Sequence, residues 1–162
     1  MLIRDAVADD WPAIWPFFHT IVAAGDTFTY PTDLGHDQGR DWWLLPAPDR
    51  TVVAVDEAGA VLGTAKMNRN HMGGASHIAS ASYMVDPAHT GQGVGRALCE
   101  DSLSWARAAG YRAMQFNAVV ETNVHAVKLY RSLGFEVVGT LPEGFRHPAQ
   151  GYVGLHIMYR KL

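Results

Sequence analysis

Apolar residues recur at helical spacing between Trp11 and Val22, and this periodicity predicts a first amphipathic helix. Asp9 or Asp10 is expected to serve as its N-cap. Pro16 falls inside the apolar pattern, and since proline lacks a backbone donor, we expect a kink or an early break there. A second, short helix is predicted over residues 36–44, closed by a following proline.

The middle of the chain changes to a strand pattern. Residues 50–56 and 60–67 are rich in β-branched and apolar residues and flank a short turn, which predicts an antiparallel hairpin. Residues 77–85 alternate in the manner of a third strand, and small side chains dominate this strand. Small residues allow another group to approach the backbone closely.

Helical and strand periods then alternate to the end of the chain. Helices are predicted over residues 93–110 and 123–134, each closed by a glycine, with a strand over residues 113–120 between them. Two final strands are expected over residues 135–141 and 152–160. The order predicts an α/β (α+β) fold with a mixed sheet and helices on its faces, and the 162 residues suit a single domain over 1–162.

Composition narrows the classes of partner. The formal net charge is −3, so there is no excess of base for a nucleic-acid backbone. No apolar run approaches the length needed to cross a bilayer, and the first ten residues lack a signal-peptide pattern. Cys99 is the only cysteine. We therefore expect a cytoplasmic protein that binds neither nucleic acid nor membrane.

A glycine-rich loop precedes the helix predicted from residue 93. Gly91, Gly93 and Gly95 occupy the junction, where free backbone N–H groups and the helix dipole favour an anion. A dinucleotide fingerprint does not fit because Arg96 occupies the place of its third small residue. A P-loop is excluded because Gly95 is followed by Arg96 and Ala97 instead of Lys and Ser or Thr.

Residues 90–95 resemble the acyl-CoA loop of the GCN5-related N-acetyltransferases (GNAT), usually written Gln/Arg-x-x-Gly-x-Gly/Ala, except that Thr90 replaces the Gln or Arg. Residues 123–135, N-x-x-A-x-x-L-Y-x-x-x-G-F, resemble the next helix and strand entry of that family. The resemblance implies a mostly antiparallel sheet of about six to seven strands, about four helices, and a splayed pair of central parallel strands. It also implies acetyl-CoA as co-substrate, bound between residues 76–85 and 113–120.

The resemblance further assigns residues to acetyl-CoA. The cofactor-binding set is Met84, Val85, Thr90, Gly91, Gln92, Gly93, Val94, Gly95, Arg96, Asn123, Ala126 and Tyr130. A backbone N–H near Met84 or Val85 would stabilise the oxyanion. Tyr130 would protonate the departing thiolate, although its spacing also suits a core stripe, and Asn123 would hold the pantetheine or order water, or serve only as an N-cap.

The group that takes the proton from the attacking amine is less well marked. Register suggests Ser80 where relatives often carry Glu or Asn, so a water relayed by the backbone or by Ser80 is the first hypothesis. Glu121 and His77 are weaker candidates. The histidines form no ligand-spaced set, and we expect no metal.

The acceptor is expected to contact the loops at residues 25–32 and 142–151, which resemble those of phosphinothricin and related small-amine acetyltransferases. The residues assigned to it are Phe28, Tyr30, Phe145, Arg146 and His147, unless these are only solvated or locally packed. Arg146 would hold a carboxylate bidentately. The acceptor is thus expected to be a small-molecule, amino-acid-like amine, and a homodimer is plausible. Two alternatives remain open: a degenerate acyl-CoA sensor, and a protein lysine or N-terminal acetyltransferase.

Overall fold

A computed structural model describes residues 1–162 of the chain. The strands are β1 (Leu2–Asp5), β2 (Arg50–Val55), β3 (Val61–Arg69), β4 (Ile78–Val85), β5 (Ala113–Val120), β6 (Glu136–His147) and β7 (Gly151–Lys161). The helices are α1 (Trp11–Ala24), α2 (His36–Trp43), α3 (Val94–Ala108) and α4 (Val124–Ser132). None of these helices combines the length and the apolar character that crossing a membrane requires.

All the strands form one sheet in the order β1-β2-β3-β4-β5-β7-β6. Every neighbouring pair is antiparallel except β4 and β5, which run parallel. These two strands are in register only at Ile78 with Ala113 and at Ala79 with Met114. Beyond these pairs they diverge, and the expected fold with its splayed central parallel strands is confirmed.

The sheet separates two apolar clusters. One contains the buried faces of α3 and β5, with Leu98 and Met114 fully buried. The other contains α1 and α2, where Trp11 and Trp43 are almost fully buried against Met84 of β4. Since successive residues of a strand point to opposite faces, β4 contributes to both clusters. This places β4 in the centre of the molecule.

The structure contradicts two expected element boundaries, an early break of α1 at Pro16 and a loop over residues 142–151, and it does not bear on a kink at Pro16. α1 continues through Pro16 without a break, and the burial of Ile14, Phe18 and Val22 on one face stabilises the helix across that position. The other error concerns the loop expected at residues 142–151, most of which is strand β6.

β6 is longer than its sequence pattern indicates. A register shift between Leu141 and Phe145 accommodates the proline and glycine of this stretch, after which pairing with β7 resumes and continues to His147. The irregularity explains the error, because a bulge interrupts alternation without ending the strand. Only residues 148–150 remain as the turn between the two strands.

Candidate functional site

A cavity of about 670 Å³ lies where β4 and β5 diverge. Its wall includes Ser80, Val85 and Phe116 from the two strands, Phe28 from the segment after α1, and Tyr130 from α4. Hydrophobic residues make up 16 of the 28 that line it. A mostly apolar cavity of this size with a few polar groups is typical of a small-molecule or cofactor site.

The inner edge of β4 offers unpaired backbone groups to this cavity. The Asp86 N–H donates to the Leu62 carbonyl of β3 at 3.0 Å. Because backbone groups alternate sides in an antiparallel pair, Met84 also turns its N–H towards β3, whereas Tyr83 and Val85 turn theirs towards the cleft. Of the two amides considered for the oxyanion, the geometry therefore favours Val85 over Met84.

The loop before α3 has the geometry of an anion site. Gly91 and Gly93 have φ values of 78° and 82°, in the left-handed region that glycine adopts without strain. The first amide bonded within the helical turn is that of Ala97, which donates to the Gly93 carbonyl at 3.0 Å. The amides of residues 94–96 consequently have no acceptor inside the helix.

Side chains close the loop and leave its backbone available. The Thr90 hydroxyl donates to the Pro87 carbonyl at 3.1 Å, so Thr90 shapes the turn instead of replacing the family's longer polar residue. The Arg96 guanidinium donates to Ser132 Oγ on α4 at 2.8 Å. Val94 is buried in the core, so only its backbone can contact a ligand.

The residues assigned to acetyl-CoA divide by position. Those that line the cavity are Met84, Val85, Thr90, Gly95, Asn123, Ala126 and Tyr130. The others lie outside its wall, namely Gly91, Gln92, Gly93, Val94 and Arg96. Since Gly91, Gln92 and Gly93 are exposed, the loop stands at one end of the cavity and open to solvent.

Three tyrosines line the cavity, namely Tyr30, Tyr83 and Tyr130, and the hydroxyls of Tyr83 and Tyr130 differ. The Tyr83 hydroxyl lies 2.6 Å from Ser102 Oγ and is therefore engaged in a hydrogen bond. Tyr130 packs its ring against Phe116, with ring centroids 4.6 Å apart, and its hydroxyl has no hydrogen-bond partner in the chain. Burial raises the pKa of both phenols well above the usual value of about 10. Tyr130 is therefore a neutral phenol with an available proton.

Asn123 is placed so that both roles considered for it are open to its side chain. Its Oδ1 accepts a hydrogen bond from the Ala126 N–H at 3.4 Å, as an N-cap does. The residue also lines the cavity, and its Nδ2 donates to no group of the chain. The side chain can cap α4 and still offer a donor to a ligand.

The candidate bases are placed unequally. Ser80 lines the cavity, whereas Glu121 and His77 do not. The Glu121 carboxylate accepts a hydrogen bond from the Gly154 N–H of β7. Two titratable residues that sequence reasoning missed, Asp26 and His125, do line the cavity. Asp26 belongs to the loop already expected near the acceptor, and His125 occupies an unspecified position of the 123–135 pattern, so residue type alone marks neither as a site residue.

The opposite end of the cavity from the glycine loop is aromatic. Phe28 and Tyr30 line it, with their ring centroids 5.5 Å apart. Phe145, Arg146 and His147, expected in the same wall, do not line the cavity, and they lie on β6, where they pair with β7 at the edge of the sheet. We refer to the part of the cavity around Phe28, Tyr30 and Ser80 as the acceptor end.

A bulge in β5 adds polar groups to the cleft. The register with β7 shifts between Phe116 and Val119, so Asn117 and Ala118 sit at an irregular point of the ladder. Both line the cavity. The Asn117 amide donates to Asn70 Oδ1 at 2.6 Å and so links β5 to the segment before β4. No group of three or more His, Cys, Asp or Glu is placed to hold a metal ion.

Comparison with known proteins agrees with this geometry. The model of the acetyltransferase (GNAT) family matches residues 8–135. L-methionine sulfoximine/L-methionine sulfone acetyltransferase of Pseudomonas paraeruginosa is 32% identical over 149 residues, which are 87% of this chain and 83% of that protein. N-acetyltransferase aca1 of Schizosaccharomyces pombe is 32% identical over 113 residues, 69% of this chain, and the match spans about half (54%) of its length.

Solved structures extend the similarity to the whole fold. A GCN5-related N-acetyltransferase from Kribbella flavida is 56% identical, with a TM-score of 0.96 over 99% of this chain and 97% of that one. A phosphinothricin acetyltransferase from Sinorhizobium meliloti, in complex with acetyl-CoA, is 26% identical, with a TM-score of 0.89 over 99% and 88%. The splayed strands, the glycine loop before α3 and these matches together show that the chain belongs to the GNAT family of N-acetyltransferases.

Proposed function

We propose that this enzyme transfers the acetyl group of acetyl-CoA to the primary amine of a small, amino-acid-like molecule. The observation that carries the proposal is the continuous cleft from the free amides at the start of α3 to the aromatic acceptor end, with the free hydroxyl of Tyr130 in its wall. Acetyl-CoA supplies a thioester whose carbonyl carbon is open to attack by an amine.

The donor half of the cleft fits a phosphorylated, extended molecule. The amides of residues 94–96 would bind the pyrophosphate, since they have no acceptor in the helix and lie at its positive end. Gly91 and Gly93 keep side chains away from that position. The unpaired edges of β4 and β5 and the free Nδ2 of Asn123 would bind the arm that leads into the cleft.

Two groups would act on the reacting atoms. The Val85 N–H would donate to the carbonyl oxygen of the acyl group as negative charge develops there. The amine forms its bond to the carbonyl carbon while the carbon–sulfur bond breaks, and Tyr130 would give its proton to the departing sulfur. The proton that the amine loses would pass to water held near Ser80, and solvent would reprotonate Tyr130.

The acceptor end supports a small substrate. Phe28 and Tyr30 come from the segment after α1 and pack on each other across the cleft mouth. The Asn117 and Asn70 pair bridges the opposite side at β5. A cavity of about 670 Å³ with aromatic side chains at this end suits a free amine or amino acid more than a protein segment. The methionine sulfoximine and phosphinothricin acetyltransferases among the similar proteins support the same class of acceptor.

The test is to incubate the protein with acetyl-CoA and a panel of free amines, amino acids and peptides while following the release of CoA thiol. We expect release with one or more small amines or amino acids. Binding of acetyl-CoA without release for any acceptor would identify a sensor and overturn the proposal. Release with peptides alone would identify a protein acetyltransferase instead.

We also propose that residues 1–162 act as one domain and assemble as a homodimer. Val138, Leu141 and Tyr152 on the edge hairpin β6–β7 expose 58–64% of their surface, which favours association of this face. Light scattering coupled to size exclusion should give twice the mass of 17.7 kDa for one chain. A monomer that persists at high concentration would exclude the dimer.

A further inference from the structure

Lys66 lies next to the acceptor end but does not itself form part of the cavity wall. On β3 its Cα partner in β4 is Ser82, which lines the cavity. Side chains that are directly opposite across two strands lie on the same face, so the lysine and this serine are neighbours. The Lys66 Nζ also lies 5.5 Å from the ring centroid of Tyr30, another residue of the cavity wall.

The ammonium of Lys66 has no anionic partner in the chain. Its Nζ donates to the Trp42 carbonyl at 2.8 Å and lies 5.4 Å from the ring of Trp43. No carboxylate lies within ion-pair distance of it. An ammonium has three donors, so the bond to Trp42 leaves two without a protein acceptor. Burial lowers the pKa of Lys66 to about 8, because nothing nearby neutralises the charge.

The cavity wall itself contains no fixed cation. None of the residues in its wall is a lysine or an arginine. Arg146, which the sequence suggested for a carboxylate, lies on β6 away from the wall. The Ser82 hydroxyl in the wall beside Lys66 makes no hydrogen bond in the chain and is available as a second donor.

We propose that Lys66, with the Ser82 hydroxyl, forms a carboxylate-binding site at the acceptor end that selects α-amino acids over amines lacking a carboxylate. This inference rests on the proposed function, because it names the group of the acceptor that the enzyme recognises. A bound carboxylate would give the half-buried ammonium the counter-charge that the chain does not provide. Lys66 is thus a specificity residue that takes no part in the acetyl transfer itself.

The test compares a free α-amino acid with its neutral carboxamide as acceptors, first in the unaltered protein. The amino acid that gives the fastest thiol release with acetyl-CoA is chosen for this comparison. We expect the carboxylate form to have a KM about 10- to 100-fold lower than the carboxamide, as a charge-assisted contact provides. Equal KM values would overturn the carboxylate site and leave acetyl transfer to small amines intact.

Lys66→Met then removes the ammonium that lies beside Tyr30 and Trp43 and retains an unbranched side chain of similar length. We expect KM for the amino acid to rise to that of the carboxamide, with KM for the carboxamide and Kd for acetyl-CoA unchanged. Lys161→Met, at an exposed position of β7, is the matched control and should keep the selectivity. An equal loss for both acceptors would indicate a purely structural lysine and overturn the inference.

If Lys66→Met does not fold, Ser82→Ala provides a second test of the same site. Loss of the hydroxyl should reduce the preference for the carboxylate by about 3- to 10-fold, as the loss of one ordinary hydrogen bond does. An unchanged preference would overturn the second donor of the site. Absence of thiol release with every amine in the unaltered protein would instead refute the proposed function, and is thus distinguishable from failure of the carboxylate site.

Discussion

The two ends of the cleft are constructed from different parts of the chain. The glycine-loop end is backbone, supplied by one continuous segment before and at the start of α3. The acceptor end consists mainly of side chains from separate segments. Phe28 and Tyr30 follow α1, Ser80 and Ser82 lie on β4, and Lys66 lies beside them on β3. A backbone site tolerates changes of side chain such as Thr90, whereas each substitution at the acceptor end changes which molecule fits. The donor can therefore stay fixed while the acceptor varies.

Gly93→Glu is the substitution expected to have the largest effect on acetyl-CoA binding at the glycine-loop end. Gly93 has a positive φ at the N-cap of α3, and a carboxylate there would repel a pyrophosphate at the free amides. We expect acetyl-CoA affinity to fall about 100-fold or more in a calorimetric titration. Gly59→Glu makes the same change at a φ of 85° in the turn between β2 and β3, outside the cavity wall. Retained binding in the Gly93 variant, with the control also binding, would refute the pyrophosphate placement.

Tyr130→Phe tests the proton donor assigned to the departing thiolate. Loss of the proton donor should lower kcat about 100-fold while leaving Kd for acetyl-CoA nearly unchanged, because the ring still packs on Phe116. Tyr83→Phe provides the comparison, since its hydroxyl bonds Ser102. That variant should lose about 1 kcal/mol of unfolding free energy and keep its kcat. Similar kcat values for the two variants would remove the role assigned to Tyr130.

The pH profile of kcat sharpens the same assignment without a substitution. Burial raises the pKa of Tyr130 well above its usual value, so the phenol remains protonated as the pH rises. At saturating substrates we expect no decline of kcat between about pH 7 and pH 10 from loss of this proton. A decline in that range that disappears in Tyr130→Phe would show an ordinary, titrating phenol.

The smallest effect is expected far from both ends. Asp10 accepts hydrogen bonds from Arg4 at 2.7 and 2.8 Å and from the Val7 N–H at 2.8 Å, which lower its pKa. Asp10→Asn should reduce the unfolding free energy at neutral pH by about 1–3 kcal/mol without changing Kd or KM. A lowered carboxyl pKa stabilises the fold above the unfolded-state pKa of about 3.9, and this contribution is lost as pH falls through the folded-state value.

Chemical denaturation at neutral and acidic pH measures this difference. The difference in unfolding free energy between Asp10→Asn and the unaltered protein should shrink as the solution is acidified below about pH 4. Asp41→Asn, which alters an exposed ion pair with Arg40, should leave stability unchanged at both pH values. A loss of stability in Asp10→Asn that is independent of pH would show that the carboxylate charge does not contribute.

The contrast between the two ends also explains what the sequence could predict. Glycine spacing before α3 marks a backbone site directly, and Tyr130 stands in a recognisable pattern with Asn123. The sequence predicts a loop around Arg146 because the bulge in β6 interrupts alternation, and pairing across that bulge depends on β7. The sequence signal for Lys66 is only that of a lone lysine inside an apolar strand. Its neighbours Tyr30 and Ser82 come from segments that only folding brings together.

The brief pairing of β4 with β5 leaves two unpaired strand edges in the middle of a sheet. Proteins usually confine such edges to the margins of a sheet and protect them there, because an open edge recruits strands from other molecules. Here the two edges face each other across the cleft, and an extended ligand with amide groups takes the place of a missing strand. The ligand-free protein should therefore aggregate faster than the protein saturated with acetyl-CoA. Bound co-substrate would then also protect the open strand edges from aggregation.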